Sequence, residues 1–242
     1  INIIIGAICW VVLFFASLDN FIYITQIHLL ILFGVAILAP LSFRQAVAVA
    51  PDDTLILPAK VALYLQPIVA IGSTASFLIP TGVLSGICAG MWLVQTGLFA
   101  LIGAVQFWTD SKRPLEELCI NAGLVYSSVS GIWLMAYRLS GEFFGFSGVL
   151  VPLTAAHFAV ISLGALVIAG LTGRQLRQAG DLSRVYRLIA WVSIISPMLV
   201  AIGITLTNLL GSVSPVEVIG VVLLAVSFVG LGGLYLLRVR HL

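Results

Sequence analysis

What most limits the fold is a series of apolar segments, each roughly 20 residues long, that recurs from one end of the chain to the other with only short polar breaks. Segments of that length match the hydrocarbon thickness of a bilayer. A helix is the simplest structure that satisfies its own backbone polar groups there. Reading apolar runs against their breaks places spans near 1–17, 22–42, 59–79, 81–107, 115–138, 148–171, 188–209 and 215–237. The expected fold is all-α: a polytopic transmembrane helical bundle of about eight spans, forming one integral membrane domain over 1–242. The shortest divisions fall at Asp19-Asn20 and Pro80-Thr81. Composition agrees, with 61% hydrophobic and 8% charged side chains, where soluble domains carry about 25% charged.

Charge then fixes surroundings and orientation. A formal net charge of +2 is too small for a nucleic-acid surface, and the basic residues sit at span ends, where headgroups lie. The expected partner is the lipid bilayer of a cell membrane, with no nucleic acid. Lys and Arg near span ends stay cytoplasmic. Arg44 and Lys60, Lys112 and Arg113, Arg174, Arg177, Arg184 and Arg187, and Arg238 and Arg240 all fall on one side, and Arg138 alone on the other. Both termini are thereby expected in the cytoplasm. The chain opens on Ile1 without a basic leader, so the first span is expected to be a transmembrane helix rather than a signal peptide. The stretch from Arg174 to Leu188 has Arg177 and Asp181 at i,i+4 spacing and is expected to form a short interfacial helix with its arginines at the headgroups. Pro51, Asp52 and Asp53 mark a solvated turn. Cys9, Cys88 and Cys119 lie in apolar runs without CxxC spacing and read as small buried residues.

Counting from span ends brings Ser73 and Thr74, Gln95, Ser127 and Ser128, and Ser196 with Pro197 near the midplane. If their faces converge they form a polar belt, and Pro67, Pro152 and Pro197 are expected to kink their helices beside it. Hydroxyl residues also serve plain helix packing in lipid. Gln95 is the harder case, because a buried amide needs several partners. His157, with Thr154 one turn away, is an ionisable group inside a span and so a candidate for proton handling or substrate contact. His28 is placed at a similar depth. Two histidines without HExxH, an adjacent carboxylate or a third buried histidine do not make a ligand set, so no metal and no cofactor is expected.

Glu116 and Glu117 follow Pro114 at the start of the fifth span, where a helix N-terminus favours both proline and carboxylates. Asn121, one turn beyond Glu117, can extend a polar path inward toward Ser128. The candidate substrate-binding or proton-handling residues are therefore His157, Glu117, Glu116, Asn121, Gln95, Ser128 and Thr154.

The runs PLEELCINAGLVY, GIWLMAYRLSGEFFGFS and VLVPLTAAHF resemble the core of the YndJ-like family of bacterial multipass membrane proteins, often labelled transporters. The resemblance covers about a quarter of the chain, and NAGLVY, GFS and LTAAHF around His157 are its most specific pieces. It implies a membrane fold and location more than a reaction. The family pattern has an acidic residue where Asn121 stands and a second histidine where Ala159 stands, so proton chemistry that needs that pair is weakened here.

Three functions fit these residues. The leading one is a carrier or permease-like protein for a small apolar or amphipathic compound held between helices. The second is a membrane-embedded enzyme acting on a lipid or isoprenoid, with His157 or Glu117 supplying a proton. The third is a non-catalytic subunit or assembly factor whose polar groups only pack helices. No feature of the sequence reads out oligomeric state.

Overall fold

A computed structural model describes residues 2–19, 23–47, 56–109, 114–180 and 183–237. Asn20, the Pro51–Asp53 turn, Lys112, Arg113, Asp181, Arg238 and Arg240 lie outside the described residues. The described residues fold as eight apolar helices: α1 Asn2–Leu18, α2 Gln26–Val47, α3 Ile56–Leu78, α4 Val83–Thr109, α5 Leu115–Ser140, α6 Leu150–Gln178, α7 Arg184–Leu210 and α8 Pro215–Leu237. Seven are long and apolar enough to cross a membrane, and α1 is a shorter apolar helix. This is a multipass integral membrane protein.

Antiparallel neighbours in sequence pack as hairpins, α4 with α5 and α7 with α8, and α5 also meets α6 and α7. The bundle centre belongs to α2 and α6, whose most apolar windows are 61% and 67% buried. At the edge lies α8, where the share is 22%. Running parallel, α2 and α6 approach so closely at Gly34 that an added Cβ would stand 2.7 Å from the Ala159 methyl. Small residues permit that approach, since in lipid, helices associate by close packing rather than by escape from water. Phe43 of α2 stacks on Phe99 of α4 at 4.2 Å, and Trp92 is fully buried between α4 and α5 with its indole N–H donated to the Ser130 hydroxyl at 3.0 Å.

Both central helices contain a π-helical turn, Gly34–Leu38 in α2 and Ile161–Leu166 in α6. In α2 the cause is in the sequence: Pro40 has no N–H to give the Ala36 carbonyl, and the wide turn just before it lets Ala39 donate to Gly34 instead. The freed Ala36 carbonyl faces α1 at Gly6, where any side chain would collide with it. In α6 no proline explains the turn. There Val167 donates to Ser162, and the Leu163 carbonyl accepts from the Ser42 hydroxyl of α2 at 2.6 Å.

Several sequence expectations change. Instead of an interfacial helix over 174–188, α6 continues to Gln178, turns at Ala179 and at Gly180 with φ 72°, and α7 begins at Arg184. The two basic residues of its last turns, Arg174 and Arg177, pair with Glu117 and Glu116 of α5. Pro152 stands in the first turn of α6, where its missing N–H costs nothing and no kink arises. Pro67 and Pro197 are inside their helices. Cys9 is exposed on α1, in contrast to the buried Cys119.

Candidate functional site

The structure sorts the polar side chains into three levels. At the end of the bundle that holds the α2, α5 and α6 termini near Val47, Leu115 and Gln178, Glu117 receives a two-pronged ion pair from Arg174, Nε to Oε1 and Nη2 to Oε2, both at 2.6 Å. The same guanidinium donates to the Gln45 and Ala46 carbonyls at 3.1 and 3.3 Å. Those are orphan carbonyls at the C-terminus of α2, which a cation there satisfies. Beside it Glu116, 2% exposed, pairs with Arg177 of α6. Both glutamates also sit in the first turn of α5, so the helix dipole and ion pairing act on the same carboxylates. The result is a clasp joining α2, α5 and α6.

At mid-depth, Gln66 of α3 and Gln95 of α4 form an amide network. The Gln66 Nε2 donates to the Val35 carbonyl in the α2 π turn at 2.6 Å, and its Oε1 accepts from Gln95 Nε2. Gln95 Nε2 also reaches the Ala62 carbonyl at 3.3 Å, while its Oε1 is buried with no partner. The π turns thus each expose a carbonyl that a side chain of another helix captures, Val35 by Gln66 and Leu163 by Ser42.

Beside Gln66 a groove of about 580 Å³ opens between α1, α2 and α3. Its wall is almost wholly hydrocarbon, from Trp10, Leu32, Ala36, Ala70 and Ile71 among others, with Gln66 and Thr74 as neutral polar side chains. The groove exists because α1 leans on α2 through Trp10, whose indole donates to the Leu29 carbonyl at 2.7 Å, without a comparable seam against α3.

At the opposite end of the bundle, His28 Nδ1 accepts the Thr25 N–H at 3.3 Å and its Nε2 lies 3.0 Å from the Tyr137 hydroxyl. The ring stacks on Phe77 at 4.3 Å. Gly34 lies against Ala159 where α2 and α6 run parallel, so His28, six residues before Gly34, falls beside Leu153, a turn further out than His157. The two histidines, expected at a similar depth, are thus offset by about one turn.

The remaining candidates do not gather into one site. His157 is half-buried with Nε2 sealed and unpartnered, and Ile161, one turn on, packs with Leu224 of α8. Thr154 gives its hydroxyl to Leu150 of its own helix, as Ser128 does to Val125, Ser127 to Leu124 and Thr74 to Ala70. Asn121 is buried with Oδ1 unpartnered. No hydrogen bond links it to Glu117 or Ser128 among the described residues, so the inward polar path is not joined. Ser73 and Ser196 are buried and unbonded on separate flanks, α3 and α7. Of the seven candidates, Gln95 alone borders the groove region through a partner, Gln66, which carries the same signal of an amide inside an apolar span.

The family described as YndJ-like protein matches residues 29–242, from within α2 to the end of the chain. The chain belongs to the YndJ-like family. The match reaches far beyond the α5–α6 hairpin that carries the sequence resemblance. Among curated relatives, the protein named Uncharacterized membrane protein YndJ of Bacillus subtilis (strain 168) is 28% identical over 213 residues, covering 86% of this chain and 36% of that protein. This YndJ-like chain thus spans about a third of the length of that relative. No solved structure matches it.

Proposed function

We propose that this YndJ-like membrane domain is a carrier or permease-like protein that admits a small apolar or amphipathic compound to the groove between α1, α2 and α3. The observation that carries this reading is the groove itself: about 580 Å³, apolar, with Gln66 at its wall. Ligand pockets commonly enclose about 300–1,000 Å³ behind apolar walls with a few placed polar groups. Gln66 keeps amide capacity beyond its two bonds, so it can orient a hydroxyl or carbonyl of the compound. The acid–base alternative draws support from the unpartnered Nε2 of His157, but its second group, Glu117, is committed to Arg174 at the clasp end.

The test is mass analysis of small molecules retained by the protein after mild detergent extraction. Ala70→Phe and Ala36→Leu, both filling the groove, are expected to reduce the retained compound severalfold, while His157→Ala leaves it unchanged. Equal retention in both filled variants would overturn the groove, and loss confined to His157→Ala would favour the enzyme reading. A protein that retains nothing in any form returns the domain to a packing subunit.

A further inference from the structure

Among the described residues, Arg138 is a buried cation without a counter-charge. It is 6% exposed, yet no carboxylate lies within 4.0 Å of it among the described residues. Glu142, one turn on, is exposed and forms no ion pair among the described residues. Arg138 Nη2 donates to the Ile79 carbonyl at 2.6 Å and Nε to the Ser85 hydroxyl at 3.0 Å, both neutral acceptors. The guanidinium carbon stands 5.8 Å from the Phe77 ring centroid and 5.4 Å from that of Tyr137. Its Nη1 has no hydrogen bond among the described residues, so this edge of the fork is left without an acceptor. Arg has planar, paired donors that suit carboxylate and phosphate oxygens.

A second positive locus lies against it. Ser85, which holds Nε, is in the first turn of α4, a helix of 27 residues with no acidic side chain in that turn. By contrast α5 opens with Glu116 and Glu117, and α8 with Glu217. The first N–H groups of a helix carry positive partial charge and lack internal partners. At the turn into α4, Gly82 donates to the Arg138 carbonyl at 2.9 Å, and nothing lies within 4 Å of where its Cβ would stand, so there is room beside both features. The Tyr137 ring lies beside the guanidinium, and its hydroxyl meets His28. Since Thr25 N–H occupies His28 Nδ1, the neutral ring gives its Nε2 proton to the Tyr137 oxygen.

We infer that Arg138 and the N-terminus of α4 form a binding site for a phosphate-bearing anion, at the end of the bundle opposite the glutamate–arginine clasp. The oxygens come from a phospholipid headgroup or from a soluble phosphate. Helix ends at this level, Ser140 of α5 and Val83 of α4, put the site at headgroup depth. The site does not depend on the groove.

The full chain in mild detergent is titrated with dioleoyl phosphatidylglycerol, with dioleoylglycerol of the same acyl chains and no phosphate, and with inorganic phosphate, bound lipid being counted by native mass spectrometry. Preference for phosphatidylglycerol over dioleoylglycerol, undiminished by inorganic phosphate, identifies a lipid source. Displacement by inorganic phosphate identifies a soluble one. In either case Arg138→Gln weakens binding about tenfold or more, and Arg138→Lys, which keeps the charge, retains part of it. Equal binding of the two lipids with no effect of phosphate overturns the site, as does Arg138→Gln that binds like the parent. Where Arg138→Gln does not fold, the parent's lipid preference and Arg138→Lys decide.

Discussion

Gln66→Leu tests whether the mid-depth amide network holds α2, α3 and α4 together. The substitution keeps side-chain volume near constant but strands two groups: the Val35 carbonyl, freed by the π turn, and the Gln95 amide N–H, left with only Ala62 at 3.3 Å. A buried polar group left unmade costs about 1–3 kcal/mol. Side-chain hydrogen bonds in membranes average nearer about 0.6 kcal/mol, because unfolded helices in lipid also find partners. The total expected is therefore at the low end, about 2 kcal/mol. Gln95→Leu alone behaves differently, since it strands Gln66 Oε1 but removes the already unpartnered Gln95 Oε1, for a net change of about 0–1 kcal/mol. The double variant leaves only Val35 stranded and should be more stable than Gln66→Leu by about 1 kcal/mol. Unfolding by sodium dodecyl sulfate in mixed micelles, followed by tryptophan fluorescence, measures all three. A double variant less stable than Gln66→Leu alone, with additive costs, would refute the network.

Two further outcomes follow from the clasp and the charge pattern. Arg174→Ala leaves Glu117 without its partner and uncaps Gln45 and Ala46, and should cost about 2 kcal/mol in the same assay, more than Glu117→Gln, which keeps hydrogen-bonding capacity; equal costs would contradict the bridging role. Single cysteines at the exposed Ser140 and Gln178 should label from opposite sides of intact cells, Ser140 from outside and Gln178 only after permeabilisation; labelling of both from one side would refute the eight-helix orientation.

Much of the architecture is legible in the chain because the bilayer asks one thing of each segment, about 20 apolar residues. The eight spans lie within a few residues of the helices, and the largest displacement is at the end of α6, which runs to Gln178 rather than 171. There the pattern misleads for a physical reason. Arg174 and Arg177 look like residues that end a span at the headgroups, whereas each has a glutamate waiting on α5. Sequence spacing places Glu116 and Glu117 at a helix start, and it holds no information about which arginines of another helix come to meet them.

The candidate polar belt shows the same limit from the other side. Depth can be counted along a helix, but the face a hydroxyl presents depends on its rotation. Ser127, Ser128 and Thr74 all turn to their own backbones, where Ser and Thr readily bond. Gln66 was open to the same reasoning as Gln95, because an amide has no local backbone partner that satisfies both of its ends. What the chain did not reveal is the acceptor. A π turn can be suspected from Pro40, which removes the donor for Ala36, yet the carbonyl that Gln66 captures belongs to Val35, displaced only once the turn widens. In α6, whose Pro152 lies in the first turn and away from the π turn, the Leu163 carbonyl becomes available to Ser42 without a proline beside it. The two interruptions lie against each other where α2 and α6 pack, so the irregular backbone sits where protein rather than lipid can satisfy it, as a membrane interior requires.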